Sequence, residues 1–243
     1  MAVQALADGR VLAERIGEMP PRVVALHGWG RSGADFTSIL GGLDAVAIHL
    51  PGFGPTAVPD SVWGTEDYAE LVVEAIRPFA PVVLVGHSFG GRIAVRIAAR
   101  HPELVSGLVL TGAPLVRIAP SGKPKLSYRL AKWANRVGIL SDTAMEARRR
   151  KAGSADYNAA QGVMRDIMVK TVNENYDTDL AAITAPTWMV WGENDTAAPT
   201  AAGKLASERI RGARWTVVAG EAHLLSQGLG AAVRRATEEA LSS

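Results

Sequence analysis

The sequence predicts an α/β protein with a mostly parallel, doubly wound sheet, an antiparallel hairpin at its first edge and a helical insertion. Three observations carry this prediction: short, continuous apolar runs recur along the chain, helical patterns lie between several of them, and one long interval carries helical patterns without a strand pattern. Continuous apolar runs are typical of parallel strands that are buried on both faces. Alternation of such strands with helices is typical of doubly wound sheets.

The individual elements follow from these patterns in chain order. Residues 3–6 and 10–16 alternate in polarity around Asp8-Gly9, a residue pair that favours tight hairpin turns. Buried strands are predicted at residues 22–26, 45–50, 82–85, 108–110, 187–191 and 215–219. Helices are predicted at residues 65–77, 89–100, 199–209 and 230–241.

One interval interrupts the alternation of strands and helices. Residues 115–182 lack a good strand pattern, and their clearest helical stretches are residues 127–137, 143–151 and 159–172. We therefore expect a single core, built from residues 1–114 and 183–243, with a helical lid at residues 115–182. Additional packing helices without a gating role are the alternative interpretation of this interval.

The composition excludes several classes of protein. The 243 residues include no cysteine, which rules out thiol catalysis, disulfides, iron–sulfur clusters and cysteine zinc sites. The 26 basic and 24 acidic residues give a net charge of +2, which offers no argument for nucleic-acid binding. No apolar run approaches the ~18 residues of a membrane span, and residues 1–8 lack the pattern of a signal peptide. We therefore expect a soluble, cytoplasmic protein.

A candidate nucleophile lies between a predicted strand and a predicted helix. Residues 86–90 read Gly-His-Ser-Phe-Gly and match the pattern G-x-S-x-G around Ser88. A sharp strand-to-helix turn holds such a serine in a strained conformation, and glycines on both sides relieve the crowding. The hydroxyl then projects above the sheet, near the positive end of the helix dipole. The motif and its position therefore predict Ser88 as a nucleophile.

In this motif and its context the sequence resembles the α/β-hydrolase family, and the resemblance extends from the loop at His27 to the loop at His223. The resemblance implies an α/β-hydrolase fold and a serine hydrolase that needs neither a metal ion nor an organic cofactor. Haloalkane dehalogenases and epoxide hydrolases of this fold carry an aspartate in the place of Ser88, so the serine argues against those reactions.

The family order of nucleophile, acid and histidine implies two partners for Ser88 further along the chain. A serine nucleophile needs a general base, and a histidine base needs a carboxylate that orients it. Of the five histidines, His223 lies in a loop after the last predicted strand and fits that order. Asp195 takes the family's position in the loop after residues 187–191, and Glu193 in the same loop is the alternative. The resemblance thus implies a triad of Ser88, Asp195 and His223.

A second loop beside the predicted nucleophile reads His-Gly-Trp-Gly at residues 27–30, directly after an early predicted strand. By resemblance, the backbone N–H groups of Trp29 and Phe89 form an oxyanion hole that stabilises the charge of the reacting carbonyl oxygen. Their side chains are then free to line the substrate pocket. We expect the imidazole of His27 to hold its loop in place. Residues 50–54 follow His49, where the family usually has an aspartate, and we interpret them as scaffold.

The predicted lid is strongly basic. Residues 116–151 contain ten basic and two acidic residues, a net charge of +8. This charge suits an acidic partner such as an acyl carrier protein, a coenzyme A ester or an anionic lipid surface, and a solvated outer face is the alternative. Residues 27–30 and 51–54 are also similar to loops of the pimeloyl-carrier-protein methyl ester esterases.

Together these features predict a carboxylic ester hydrolase that acts on a small-molecule acyl substrate through an acyl-enzyme intermediate. The same triad serves the hydrolysis of carbon–carbon bonds, lactones, thioesters and amides as well as perhydrolysis, so these reactions are the alternatives. A ligand receptor without catalytic activity is the alternative from a different class of protein. The presence of all three triad residues argues against it.

Overall fold

The computed structural model describes residues 2–118 and 159–243. The strands in these two ranges are β1 (Ala2–Leu6), β2 (Val11–Ile16), β3 (Val23–Leu26), β4 (Ala45–His49), β5 (Val82–His87), β6 (Val105–Thr111), β7 (Thr187–Gly192) and β8 (Arg214–Val218). They form one sheet in the order β1-β2-β4-β3-β5-β6-β7-β8. β1 and β4 both pair antiparallel with β2, and all other neighbours are parallel. The prediction of a mostly parallel sheet with an antiparallel N-terminal hairpin is confirmed.

The helices of the described ranges are α1 (Thr65–Ile76), α2 (Phe89–Arg100), α3 (Gly162–Val172), α4 (Asp177–Ala182), α5 (Thr200–Ser207) and α6 (Gln227–Leu241). None of them is long and apolar enough to span a bilayer. Helix α6 begins three residues before its predicted start because the Ser226 hydroxyl caps it, accepting the N–H of Leu229 at 3.1 Å.

The sheet lies between two apolar cores. In β3, Val24 and Leu26 belong to the core that also contains side chains of α1 and α2, whereas Val23 and Ala25 belong to the core formed with α6. All four side chains are fully buried. Since successive residues of a strand point to opposite faces, burial on both faces explains the continuous apolar runs in the sequence.

Strand β8 departs from the prediction of strands buried on both faces. It lies at the edge of the sheet and pairs only with β7. The side chain of Val217 is 43% exposed, and Trp215 is partly buried against Trp191, with a ring separation of 5.4 Å. An edge strand has one neighbouring strand and fewer helices packed over it. An apolar run at the edge can therefore remain partly exposed.

The described part of the predicted lid consists of α3 and α4. The helix predicted at residues 159–172 is confirmed from Gly162 onward, while the stretches predicted at 127–137 and 143–151 lie outside the described residues. The carboxylate of Glu174 accepts the N–H of Thr65 at the start of α1, at 3.0 Å. Arg96 of α2 pairs with Asp179 of α4 and lies 3.7 Å from Glu174. These contacts fasten Glu174 and α4 to the two helices that flank the G-x-S-x-G motif.

Candidate active site

Ser88 lies in a sharp turn between β5 and α2. Its backbone has φ 52° and ψ −110°, in the left-handed half of the Ramachandran plot, where a residue other than glycine costs about 1–3 kcal/mol of strain. The turn closes tightly, because a Cβ atom on Gly90 would lie 2.2 Å from the carbonyl oxygen of Leu26. The N–H of Ser88 donates to the carbonyl oxygen of Thr111 at 2.9 Å. The strand-to-helix turn predicted from the motif is therefore present.

His223 lies within hydrogen-bonding distance of both other residues of the predicted triad. His223 Nδ1 is 2.8 Å from Asp195 Oδ2, and His223 Nε2 is 3.1 Å from Ser88 Oγ. The carboxylate of Asp195 cannot donate, so the proton lies on Nδ1 and Nε2 can accept the hydroxyl proton of Ser88. Ser88 and His223 are 135 positions apart in the chain, and the carboxyl ends of β5, β7 and β8 bring their loops together.

Backbone donors hold the carboxylate of Asp195 in place. Asp195 Oδ1 accepts the N–H groups of Ala197 and Ala198 at 2.9 and 2.7 Å, which leaves Oδ2 for His223. The Asp195 side chain is 1% exposed. Glu193, the alternative acid, instead accepts the N–H of Gly220 at 2.9 Å and thus fastens the loop after β8. The geometry therefore favours Asp195 over Glu193.

The loop that follows β3 packs directly against the turn at Ser88. A Cβ atom on Gly28 would lie 3.4 Å from Ser88 Cβ, and the carbonyl oxygen of His27 accepts the N–H of Gly90 at 3.0 Å. Trp29 comes next, and its ring contacts the ring of Phe89 at a centroid distance of 5.2 Å. Phe89 is the first residue of α2, so its N–H has no acceptor within the helix. Both predicted oxyanion donors thus belong to segments that adjoin Ser88.

The imidazole of His27 holds this loop in place, as predicted. His27 Nε2 accepts the N–H of Leu50 at 3.0 Å, and Nδ1–H donates to the carbonyl oxygen of Gly28 at 2.7 Å. Burial lowers the pKa of His27 to about 4, so the ring is neutral near pH 7.

His49 makes structural contacts, whereas the stretch after it, predicted as scaffold at residues 50–54, contributes Gly52 and Phe53 to a cavity wall. Its Nδ1 accepts the N–H of Gly33 at 3.2 Å, and its Nε2 lies 3.3 Å from a carboxylate oxygen of Glu14. Burial lowers the pKa of His49. The side chain therefore joins β4 to the segment after the oxyanion loop rather than facing Ser88.

A cavity of about 270 Å³ adjoins the oxyanion loop. It is lined by Trp29, Gly30, Gly52, Phe53, Ala159, Ala160, Gln161 and Met164. The cavity lies between the oxyanion loop and the start of α3, and the role of Trp29 in substrate binding stays a prediction. The ring of Phe89 is only 4% exposed and contacts Trp29 and Tyr68, and its role in substrate binding stays a prediction.

Two features of the site were not predicted from the sequence. Gly112 has φ 57°, and a Cβ atom there would lie 3.1 Å from His223 Nδ1 and 3.3 Å from Asp195 Oδ2. A glycine after β6 was the available signal, because the residue at this point must leave room for both side chains. The second feature is His87, whose Nε2 lies 2.9 Å from the backbone oxygen of His223.

Among residues 2–118 and 159–243, no three His, Asp or Glu side chains cluster as metal ligands.

A serine at a strained strand-to-helix turn, with a histidine and a carboxylate from later loops of a mostly parallel sheet, defines an α/β hydrolase site. The chain belongs to the α/β hydrolase family, whose family model matches residues 23–235.

Two curated relatives illustrate the sequence similarity. The chain is 32% identical to Esterase Rv0045c of Mycobacterium tuberculosis over 143 residues, which are 57% of this chain and 46% of that protein. It is 26% identical to the pimeloyl-[acyl-carrier protein] methyl ester esterase of Neisseria meningitidis serogroup B over 226 residues, or 83% of this chain and 85% of that one. The matches to the first three curated relatives span 46%, 37% and 51% of their lengths, about half or less.

Solved structures of the same fold include an esterase from Exiguobacterium antarcticum, with a TM-score of 0.73, 22% identity and 99% of both chains covered. A hydrolase from Pseudomonas aeruginosa has a TM-score of 0.71 at 19% identity, with 100% of this chain and 98% of that chain covered. At such low identity these similarities establish the fold.

Proposed function

We propose that this protein hydrolyses carboxylic esters, with Ser88 as the nucleophile, His223 as the general base and Asp195 as the carboxylate that orients it. The observation that carries the proposal is the continuous series of hydrogen-bonding contacts from Asp195 through His223 to Ser88, at 2.8 and 3.1 Å. Relatives whose names describe esterases support the same class of reaction.

The first half of the proposed reaction forms an acyl-enzyme. Ser88 Oγ attacks the ester carbonyl carbon while His223 Nε2 takes the hydroxyl proton. The carbonyl oxygen becomes an oxyanion, which accepts the N–H groups of Trp29 and Phe89. Collapse of this intermediate breaks the bond to the leaving alcohol, and His223 gives the alcohol its proton. Asp195 stabilises the charged imidazolium that exists between the two transfers.

The second half of the reaction releases the acid. Water attacks the acyl carbon, His223 takes a proton from that water, and Ser88 Oγ leaves and recovers the proton. Two side chains, two backbone donors, the substrate and water account for every proton and electron pair. Each oxyanion donor contributes about 3–4 kcal/mol to the stability of the transition state in enzymes of this type.

Hydrolysis of p-nitrophenyl esters from acetyl to dodecanoyl, by wild type and S88A in parallel, tests the proposal. We expect S88A to lose several orders of magnitude in kcat, as the removal of a nucleophile does. Intact-protein mass spectrometry during turnover should find the added mass of one acyl group on wild type and none on S88A. Full activity in S88A would refute the proposed role of this serine.

Other reactions of the same triad differ in the bond that is broken. Product analysis separates ester hydrolysis from cleavage of carbon–carbon bonds, lactones or thioesters and from perhydrolysis. Saturable binding without turnover of any substrate, in protein of native fold, would instead indicate a receptor. The expected cytoplasmic location is part of the proposal, and cell fractionation tests it.

We further propose that residues 115–182 cover the site as a lid and receive an acyl group carried by an acidic partner. The contribution of Gln161 and Met164 to the cavity wall supports the lid, and the net charge of +8 over residues 116–151 supports an acidic carrier protein or coenzyme A ester. The names of several relatives refer to a carrier-linked methyl ester. A carrier-linked ester should be hydrolysed faster than the matching free methyl ester, and added salt should reduce this advantage.

A further inference from the structure

The side chain of His87, which precedes the proposed nucleophile, has no role in the reaction described above. It is the last residue of β5, and the residue is 2% exposed. His87 Nε2 lies 2.9 Å from the backbone carbonyl oxygen of His223, and the two rings are 5.1 Å apart. A carbonyl oxygen can only accept a hydrogen bond, so Nε2 carries the proton of the His87 ring.

The other ring nitrogen of His87 has no partner among the residues that the structure describes. Its Nδ1 is buried and makes no hydrogen bond to any part of the chain that the structure describes. The Cα atom of Gly28 packs close to it, since a Cβ atom there would lie 3.0 Å from Nδ1. Burial, with a smaller contribution from the nearby His223, lowers the pKa of His87 to about 4. The ring is therefore neutral near pH 7, with one hydrogen bond to donate.

That hydrogen bond reaches a segment with little regular structure. His223 lies between the end of β8 and the start of α6, and its side chain is 21% exposed. Elsewhere in this loop, Glu221 O accepts the N–H of Asn194 at 2.8 Å, and Gly220 N–H donates to Glu193. At His223 itself, the hydrogen bond to the backbone within the described residues comes from the His87 ring.

We propose that His87 is a positioning residue, whose Nε2–H holds the backbone of His223 so that its imidazole bridges Asp195 and Ser88. The inference rests on the proposed role of His223 as the base. The ring must keep two hydrogen-bonding distances at once, and a displacement of about 1 Å at a reacting group can cost about 100-fold in rate. A donor that fixes the main chain at the base therefore acts on kcat rather than on substrate binding.

A matched pair of substitutions separates the hydrogen bond from packing. H87Q places an amide N–H₂ near the position of Nε2, and H87M has nearly the same length without a donor. We expect H87Q to keep kcat within about threefold of wild type, and H87M to lose about 10- to 100-fold in kcat with little change in KM. His101, at the far end of α2, gives the control H101M, for which kcat should not change.

A measurement on the wild-type protein tests the same inference independently of whether the variants fold. Nitrogen-15 NMR of the histidine rings should find His87 neutral at pH 7 with the proton on Nε2 and none on Nδ1. A proton on Nδ1 instead would overturn the inference, because Nε2 could not then donate to the carbonyl group of His223.

The kinetic outcomes distinguish this inference from the proposed function. Loss of activity in S88A together with equal kcat in wild type, H87Q and H87M would overturn the role of His87 alone. Equal losses of kcat in H87Q and H87M would also overturn it, because they would indicate a packing effect. Retained activity in S88A would overturn both proposals.

Discussion

Replacement of Asp195 by asparagine is the sharpest test of the site, because it changes the charge and the tautomer with little change in shape. The Asp195 side chain is 1% exposed and faces three donors: the N–H groups of Ala197 and Ala198 and the ring of His223. In D195N the amide oxygen can keep the two backbone donors. Its NH₂ group then faces His223 Nδ1 and favours the tautomer with the proton on Nε2.

That tautomer presents a donor, rather than a lone pair, to Ser88 Oγ at 3.1 Å. His223 could not then take the hydroxyl proton. The equivalent change in a serine protease lowers kcat by about 10⁴-fold, and we expect a similar loss, or about 5.5 kcal/mol at about 1.4 kcal/mol for each factor of ten. The melting temperature should fall only slightly, because the shape and the backbone hydrogen bonds are kept.

The assay is kcat for the best p-nitrophenyl ester, with Tm measured on the same preparations. E193Q is the matched control, because its amide oxygen can still accept the N–H of Gly220. We expect E193Q to stay within about threefold of wild type, as a surface hydrogen bond that is retained should cost little. A loss of kcat in E193Q as large as that in D195N, or a loss of less than tenfold in D195N, would refute the reasoning.

Three further predictions concern stability and specificity. Burial lowers the pKa of both His27 and His87 from 6.5 to about 4, so the unfolded chain binds more protons between these pH values. The contribution of these two histidines to the free energy of unfolding should therefore fall as the pH falls from 6.5 to 4, by up to about 3 kcal/mol for each histidine, and level off below pH 4. Urea titrations should find that the free energy of unfolding depends less on pH in H87Q than in wild type. An unchanged dependence would contradict a lowered pKa for His87. G90A should lose most activity and fold poorly, because its Cβ atom would lie 2.2 Å from a backbone oxygen. G41A is the control for Tm and circular dichroism, because the nearest atom to its Cβ atom would be 3.4 Å away. M164A enlarges the cavity of about 270 Å³ and should shift the preferred ester toward longer acyl chains; an unchanged chain-length profile would exclude Met164 from the acyl site.

The order of strands and helices could be predicted because the central strands are buried on both faces. β4, β5 and β7 are buried along their whole length, and each appears in the sequence as a continuous apolar run. The same rule failed at β8, where the chain reaches the edge of the sheet and loses half of its neighbours. The predicted start of α6 was also wrong, although the cap at Ser226 that sets it is a local signal.

The sequence by itself determined the fold class and the sharp turn at Ser88, because a strained turn between strand and helix requires a recognisable local pattern of glycines. The choice between Asp195 and Glu193 was left to the tertiary structure. These carboxylates are two positions apart in one loop, and only the arrangement of β7, β8 and α6 turns one toward His223 and the other toward Gly220.

The contact of His87 with the backbone of His223 joins residues 136 positions apart, and no local sequence pattern predicts it. Local patterns record what a short segment must do to form a turn, a strand or a helix. Distances between loops depend on how the whole sheet is assembled, and those distances decide which side chains meet at Ser88.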